Sequence, residues 1–337
     1  MISLHRPKLS APALLCLLAC GGGQGSGAIE PGTESQLAIA GSQSLLQKMV
    51  LAPSSVVFQG VRRVEAHWEV DGASQDLVYR ELVSGDGQGR FAIDPLEVLQ
   101  PPLSQPETDV FHLLQKTREG FLYRYRDFRV SELGLFLANY RVTDSGAIAQ
   151  VAGRACAELA IRPRVDSDRV WRVWVDLENG LVLRAREQLA DGTLVSLMEF
   201  ESLALAPDLS QVQFHVSINQ EESLREDELV EQVGFPLAKP KLLPAGYQLT
   251  DTAAIIDITD NRPWAKLTYG DGLEQVIFLL GGAVGAQGLT GLGADVVQAL
   301  AVGPWTVLQG QVQGQRVIVM GKVSEQALLD MLESAFF

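Results

Sequence analysis

The sequence predicts an α+β protein with two domains, both rich in antiparallel strands. Four strand patterns follow one another between residues 154 and 203 with short turns between them, which is typical of an antiparallel meander. After residue 243, further strands end in one amphipathic helix, which indicates a second, smaller α+β unit. About 300 residues lie beyond the N-terminal leader and tether, which suits two domains of ordinary size.

Residues 1–19 have the features of a signal peptide. A basic start is followed by an apolar run from Ala11 to Leu18, far shorter than the ~20 residues of a membrane-spanning helix. The run ends in Leu17-Leu18-Ala19-Cys20, which resembles the lipobox of bacterial lipoproteins. That resemblance implies cleavage after Ala19 and a diacylglycerol on Cys20, because the thiol is the nucleophile that takes the lipid. The alternative is an ordinary signal peptide with a chance cysteine.

Residues 20–41 are predicted to be a flexible tether, since they begin with a Gly/Ser/Gln-rich stretch. Gly21 stands where aspartate would be an inner-membrane signal, and by resemblance to lipoprotein sorting signals this favours the periplasmic face of the outer membrane. The formal net charge of −14 argues against non-specific nucleic-acid binding, which needs a basic surface.

The first domain is predicted over residues 42–206. It begins with a helix over 42–51 that Pro53 ends, and alternating patterns then predict antiparallel strands. Gly180 and Gly192 supply the positive φ that tight hairpin turns of the meander need. The remaining predicted elements of this domain are strands at 64–70, 76–83 and 90–93, a loop at 84–89, a pattern break at Pro95–Pro106, a helix capped by Thr108, a strand at 121–130 and a short helix at 131–139.

Residues 207–242 are predicted to be a linker, because acidic residues and prolines become frequent while the strand pattern lapses. A surface excursion within one domain is the alternative. The second domain is predicted over 243–337. It contains a hairpin at 264–280, a glycine-rich loop at 283–293, strands at 304–309 and 316–321, and a final helix capped by Ser324.

The sequence contains no catalytic constellation, and it predicts no cofactor and no metal site. Cys156 has no second mature cysteine to pair with apart from the lipobox residue, and we interpret it as a small core side chain. The mature histidines are not at metal-ligand spacing from one another. Asp257 and Asp260 lack the glycine and downstream glutamate of a calcium loop, so a plain turn is favoured. An enzyme is therefore the least favoured class of function.

The order of several motifs resembles the RseB/MucB family, regulators of the sigma-E envelope stress response. In the first domain these motifs are Val151-Ala152-Gly153-Arg154, Val173-Trp174-Val175-Asp176 and the Asp191-Gly192 turn. In the second domain they are Leu243-Pro244-Ala245-Gly246-Tyr247 and the turn Gly270-Asp271-Gly272. The resemblance covers most of residues 42–337.

The resemblance implies a curved antiparallel sheet, an unclosed LolA-like half-barrel, with helices that plug its concave face, plus a smaller α+β C-terminal domain. It also implies a binding protein that senses lipid or misplaced envelope components and holds the periplasmic domain of an anti-sigma factor. The alternative is a lipid or lipoprotein carrier or acceptor of the LolA/LolB kind. The lipobox favours the alternative, whereas the second domain argues against it.

Five aromatic residues are candidates for the lining of a ligand groove, because large flat side chains bury acyl chains well. Ordinary packing in the sheet core is the alternative for each of them. The candidates are Trp68, Tyr79, Tyr123, Tyr125 and Trp174.

Overall fold

A computed structural model describes residues 40–70, 72–117, 122–165, 169–214, 216–217, 223–256, 262–283, 298–302, 304–312 and 314–335. The predicted signal peptide, Cys20 and almost all of the predicted tether lie outside these residues. The chain divides into two compact units, one spanning Ser26–Gln220 and one including Glu221–Phe337. No helix in the described part of the chain is both long enough and apolar enough to cross a membrane.

The larger unit is a ten-stranded antiparallel sheet with short helices. Its strands are β1 (Val57–Val70), β2 (Ala73–Asp86), β3 (Arg90–Gln100), β4 (Tyr140–Val151), β5 (Arg154–Pro163), β6 (Arg169–Asp176), β7 (Val182–Leu189), β8 (Leu194–Phe200), β9 (Ala204–Leu205) and β10 (Val216–Ser217). Their order is β10-β3-β2-β1-β8-β7-β6-β5-β4, with β9 beside β1. The two end strands do not pair with each other, so the curved sheet is unclosed, as the family resemblance implies.

The helical elements of this unit are α1 (Ala40–Leu51), a 3₁₀ turn (Ala52–Ser54), α2 (Gln105–Thr117), a π-helical turn (Leu122–Arg126) and α3 (Leu133–Asn139). The predicted helices at 42–51 and 131–139 are confirmed. The predicted helix cap at Thr108 is wrong, because α2 begins at Gln105. Ser104 precedes the helix instead, and its backbone N–H and hydroxyl both donate to Glu107 Oε2, at 2.8 and 2.6 Å.

The strand predicted at 121–130 is wrong, since residues Leu122–Arg126 form a π-helical turn. The alternation of tyrosine and arginine there has the period of a strand. However, Asp127 bonds to Arg62 and Arg126 bonds to Glu81, so these two consecutive side chains reach the same buried contact. Consecutive side chains of a strand point to opposite faces of the sheet. The shared buried contact therefore outweighs the local pattern.

The pattern break predicted at Pro95–Pro106 begins too early, because β3 continues through Pro95 to Gln100. Pro95 pairs with Glu81 of β2 next to a register irregularity. On the other side, β10 pairs with Arg90 and Phe91, and no strand in the described part of the chain pairs with Pro95 there. A proline, which lacks a backbone N–H, is tolerated at such a place.

The predicted meander is confirmed as β5 to β8, each paired with the next. Gly180 and Gly192 have φ values of 83° and 93°, which other residues rarely adopt. The sequence does not predict β4, because the segment Asp144-Ser145-Gly146-Ala147 has no strand pattern. In the structure this segment coincides with an irregularity in the pairing with β5.

The smaller unit is a six-stranded antiparallel sheet in the order β11-β12-β13-β16-β15-β14. Its strands are β11 (Gln248–Ile256), β12 (Pro263–Gly270), β13 (Gln275–Ala283), β14 (Gln298–Val302), β15 (Trp305–Val312) and β16 (Gln315–Gly321). Its helices are α4 (Glu226–Val233) and α5 (Glu325–Glu333). The predicted hairpin β12–β13 and the Ser324 cap of α5 are confirmed, and the Ser324 hydroxyl accepts from Ala327 N–H at 3.2 Å.

The core of the smaller unit lies between its sheet and its two helices. α4 falls within the stretch predicted as a linker, and its residues Leu229 and Val233 are buried in this core together with Leu237. Phe278 of β13 and Leu328 of α5 belong to the same core and are fully buried. Helix α4 and the turn after it therefore pack as part of the smaller unit.

Candidate ligand-binding site

A small cavity lies between the sheet and the helical layer of the larger unit. Its volume is about 60 Å³. The end of α1 with the 3₁₀ turn forms one wall, the segment after the π-helical turn forms a second, and β1, β2 and β8 form the floor. The lining residues are Met49, Val50, Pro53, Phe58, Arg62, Val83, Asp127, Phe128, Arg129, Val130, Leu181, Val182, Met198 and Phe200. Most of these side chains are apolar.

Two aromatic rings and two strand glycines shape the floor of the cavity. The Phe58 and Phe200 rings meet edge to face with centroids 6.0 Å apart. A Cβ atom on Gly85 would lie 2.4 Å from the Phe58 ring, and one on Gly60 would lie 2.8 Å from the Phe200 ring. Glycine at these two positions lets the rings lie directly against the strands, because a strand glycine permits close approach.

A buried charge cluster, formed by Arg62, Glu81, Arg126 and Asp127, lies beside the cavity. Arg62 Nε donates to Glu81 Oε1 at 2.6 Å, and its Nη2 donates to Asp127 Oδ2 at 2.6 Å. Arg126 donates to both oxygens of Glu81, at 2.7 and 2.9 Å, and its Nε donates to Asp127 Oδ1 at 2.7 Å. The cluster thus joins β1, β2 and the π-helical turn.

The buried charge cluster contains two positive and two negative groups, so it has no net charge. Burial disfavours the ionised form of Glu81, but Arg126 and Arg62 outweigh that cost and hold the pKa of its carboxyl group below the ordinary value. Burial likewise opposes the charge on Arg62, but Asp127 and Glu81 raise the pKa of its guanidinium. Arg62 and Glu81 therefore remain ionised at neutral pH.

Tyr79 connects the buried charge cluster to α2. Its hydroxyl accepts a short hydrogen bond from Arg126, and its ring meets Phe111 of α2 edge to face at 5.2 Å. Burial raises the pKa of the Tyr79 hydroxyl well above its ordinary value, so the hydroxyl stays protonated. Of the aromatic candidates, Tyr79 therefore bonds directly to the buried charge cluster.

None of the four aromatic candidates with described side chains is part of the cavity lining. Trp68 lies on the helix-covered face of β1, the face that also carries Arg62 and Val64, but it is near the far end of the strand and partly exposed. Tyr125 is partly buried in the π-helical turn. The backbone of Tyr123 belongs to the same turn, and its side chain lies outside the described part of the structure.

The strand register assigns Trp174 to the opposite face of the sheet. It pairs with Arg184, which pairs with Glu199, which pairs with Arg63 of β1. Directly paired residues share a face and Arg63 alternates with Arg62, so the register puts Trp174 on the face opposite Arg62. The Arg184 guanidinium covers its ring at 4.9 Å from the centroid. Trp174 lies next to a register irregularity, however, and it belongs to the same buried hydrophobic cluster as Phe58 and Phe200.

The sequence did not single out the charged residues of the site, although a signal for them exists. Arg62 falls in the same alternation phase as Val64, which is the buried phase of β1. Glu81 falls in phase with Tyr79 and Val83, which are buried in β2. A charged residue in the buried phase of a strand needs a buried partner of opposite charge, so these two positions predict each other. Arg126 and Asp127 carry no such signal, because their turn was predicted to be a strand.

The described residues contain no group of three or more His, Cys, Asp or Glu side chains that could hold a metal ion. His215, Asp257 and Asp260 lie outside the described residues. Arg62 and Asp127, which line the cavity, bond to each other, and most of the other lining side chains are apolar. Such a lining suits the binding of an apolar group.

The fold and the site together define a two-unit α+β protein whose larger unit has an open, helix-covered antiparallel sheet beside a small, mostly apolar cavity. Residues 105–218 match the family model of the MucB/RseB N-terminal domain. The chain is therefore similar to this family over those residues, and the resemblance predicted from the sequence is confirmed. No curated protein shows significant sequence similarity to the chain.

Two solved structures have a similar fold. One is the complex of Pseudomonas aeruginosa MucA and MucB, in which the matching chain is 21% identical, with a TM-score of 0.52 over 88% of this chain and 99% of that chain. The other is MucB in complex with the periplasmic part of MucA, at 20% identity and a TM-score of 0.52, over 87% of this chain and 98% of that chain. The fold similarity thus extends across both units.

Proposed function

We propose that this chain is a membrane-anchored periplasmic lipoprotein that acts as a binding and regulatory protein of the MucB/RseB kind. Its larger unit would sense lipid or misplaced envelope components, and the chain would hold the periplasmic part of an anti-sigma factor. The observation that carries the proposal is the apolar cavity under the helical layer of a MucB/RseB-like domain.

The walls of the cavity support a lipid ligand. Burial of each acyl CH₂ contributes ~0.8 kcal/mol, and the walls offer aliphatic and aromatic side chains for that burial. At about 60 Å³ the cavity holds only a small group, so a longer chain must displace part of the wall. α1 is the candidate for this movement. Its exposed Lys48 makes one long hydrogen bond to the Leu177 carbonyl, at 3.3 Å, and Leu51 at its end is 60% exposed.

The two solved complexes support a protein partner, because the matching MucB chains are bound to MucA. For this chain the proposed partner is accordingly the periplasmic part of an anti-sigma factor. The lipobox at Cys20 supports membrane attachment through a lipid, and its sequence context supports the outer membrane.

A competition experiment tests the proposal. The full chain is expected to bind the periplasmic domain of an anti-sigma factor from the same genome, and a lipopeptide is expected to weaken that binding. Val130→Phe would fill the cavity from its wall and should abolish the effect of the lipopeptide while leaving partner binding intact. Ile148→Phe is the matched control, since Ile148 is 68% exposed on β4 and lies away from the cavity.

No binding of an anti-sigma factor by the wild-type chain would contradict the regulatory role. Saturable lipid binding without a protein partner would instead favour the second candidate, a lipid or lipoprotein carrier or acceptor of the LolA/LolB kind. The lipobox and the apolar cavity favour this second candidate. Transfer of a lipoprotein from a soluble donor to membranes that carry the chain would then be the measurement.

A further inference from the structure

Strand β4 ends the larger sheet and offers a free backbone edge. Within the described part of the chain it pairs with β5 alone, and most side chains from Arg141 to Gln150 are exposed. Residues Tyr140–Asp144 pair regularly with β5, whereas the irregularity beyond them bends the strand. Unpaired N–H and C=O groups along such an edge are a template for another strand. Tyr140 is buried, and its N–H already donates to the Phe136 carbonyl at the end of α3. The accessible, regular template is therefore Arg141–Asp144.

The sheet face next to this edge carries an arginine row, formed by Arg141, Arg162, Arg172 and Arg186. Arg141 of β4 pairs directly with Arg162 of β5, and Arg172 of β6 pairs directly with Arg186 of β7. Ala160 lies two residues from Arg162 and pairs with Arg172, so the two pairs share one face. Like charges directly opposite each other in a sheet are destabilising.

Few acids within the described residues offset the arginine row. Arg172 reaches Glu158 at 3.3 Å, and Arg186 has a buried Nε without an acceptor. Arg141 and Arg162 are both exposed, and neither makes an ion pair or a side-chain hydrogen bond within the described part of the chain. In a chain of net charge −14 this row is a local excess of positive charge. It is strongest where the sheet ends.

We propose that an extended peptide segment with acidic residues at alternate positions adds to the sheet along Arg141–Asp144 of β4. A strand added there would place every second side chain on the face of the arginine row, directly beside Arg141. Carboxylates at those positions would form ion pairs with Arg141 at the end of the row. The planar guanidinium group matches the geometry of a carboxylate. Backbone hydrogen bonds would supply the affinity and the charges the selectivity, as in other cases of strand addition.

The test uses a short fluorescein-labelled peptide of alternating threonine and glutamate, and a matched peptide of alternating threonine and lysine. Fluorescence anisotropy should show saturable binding of the full chain to the acidic peptide and none to the basic one. Hydrogen exchange should slow within Arg141–Asp144 when the acidic peptide is bound, because the added strand occupies the edge. No saturable binding of the acidic peptide, or binding without protection within Arg141–Asp144, would overturn the proposal.

The key variant is Arg141→Glu, which puts an acid opposite Arg162 and replaces a repulsive pair within the sheet. The variant should therefore fold at least as well as the wild type and bind the acidic peptide about tenfold more weakly. The matched control is Arg225→Glu, in the smaller unit. Arg225 is 73% exposed and belongs to the other unit, so peptide binding should not change.

Unchanged peptide binding by Arg141→Glu would overturn the proposal. Anionic membrane is the competing partner for an arginine surface, and phosphatidylglycerol vesicles distinguish it. If wild type sediments with these vesicles, Arg141→Glu does not, and neither protein binds the acidic peptide, the arginine row is a membrane contact and strand addition is wrong. These outcomes are independent of the cavity and of lipid binding within it.

Discussion

The backbone of Lys48, near the end of α1, lies directly against Gly180 in the turn between β6 and β7. A Cβ atom on Gly180 would lie 2.6 Å from the Lys48 carbonyl carbon, which is closer than van der Waals contact permits. Gly180 also has a φ of 83°, a conformation that disfavours any side chain. The position of α1 over the cavity thus depends on the absence of a side chain at residue 180.

Gly180→Ala is therefore expected to lower the free energy of unfolding by about 2–4 kcal/mol, since it adds a steric clash to the cost of the positive φ. Gly192→Ala is the matched control. Gly192 has a similar φ of 93° but nothing within 4 Å of a Cβ atom, so it should cost only about 1 kcal/mol. Urea unfolding measures both values, and equal losses would show that α1 does not rest on Gly180.

Glu81→Gln should destabilise the chain by about 3–5 kcal/mol, because it leaves the buried guanidinium groups of Arg62 and Arg126 with too little negative charge. The neighbouring side chain of Arg80 points to the other face and is 36% exposed. Arg80→Gln should leave the urea midpoint unchanged. Equal effects of the two substitutions would mean that the buried charge cluster does not support the fold.

The lowered pKa of the Glu81 carboxyl group predicts how the stability of the fold depends on pH. This pKa is held below the ordinary value of 4.5 in the folded chain by Arg126 and Arg62, against the opposing effect of burial. A carboxyl group whose pKa is lower in the folded state than in the unfolded state stabilises the fold at pH values above its unfolded-state pKa. That stabilisation is lost as the pH falls through the folded-state pKa. We expect the melting temperature of the wild type to fall more steeply than that of Glu81→Gln below a pH of about 4.5. Parallel curves for the two proteins would contradict this assignment.

Limited proteolysis should first cut between residues 207 and 224 and leave two resistant fragments. The division between the compact units at Gln220 and Glu221 falls in this window. The part of the predicted linker after residue 224 should resist proteolysis, because Leu229, Val233 and Leu237 are buried in the core of the smaller unit. A first stable cut within β5 to β8 would argue against this boundary, and mass spectrometry of the fragments locates it.

Membrane attachment should depend on Cys20 alone. Cys20→Ala is expected to give an unprocessed or water-soluble protein, because the thiol that accepts the lipid is lost. The wild type should enter the detergent phase of a membrane extraction, and Cys156→Ala, which removes a buried core thiol, should do the same. A mature N-terminus upstream of residue 20 would contradict lipidation.

The fold was largely predictable from the sequence where hydrophobic period and turn residues agree. The meander from β5 to β8 has alternating strands separated by Gly180 and Gly192, and both signals identify the same boundaries. The final helix α5 combines an apolar face with the Ser324 cap. Local sequence decides such elements, because each lies beside its neighbour in the chain.

The site was less predictable, because long-range contacts decide it. Tyr79 bonds to Arg126, and Arg62 to Asp127, across many residues of sequence. The alternation around Tyr123 and Tyr125 predicted a strand, but the need to bury Arg126 and Asp127 together selects a π-helical turn. Trp174 and Tyr79 were both predicted to line a ligand groove, but the register of the strands puts them on opposite faces of the sheet. Aromatic composition alone could not supply that register.

The smaller sheet places β13 between β12, its neighbour in sequence, and β16. The chain therefore leaves the middle of this sheet, travels about 30 residues to build the edge strand β14 and its neighbour β15, and returns to complete the centre. The β12–β13 and β15–β16 hairpins need only local contacts and can form early, whereas the β13–β16 seam must wait for a long loop to close. Val276–Leu280 are completely buried in the finished unit, so until that seam forms, this apolar stretch has one unpaired edge open to solvent. Assembly of this unit thus depends on whether the seam closes before the open strand pairs with another chain.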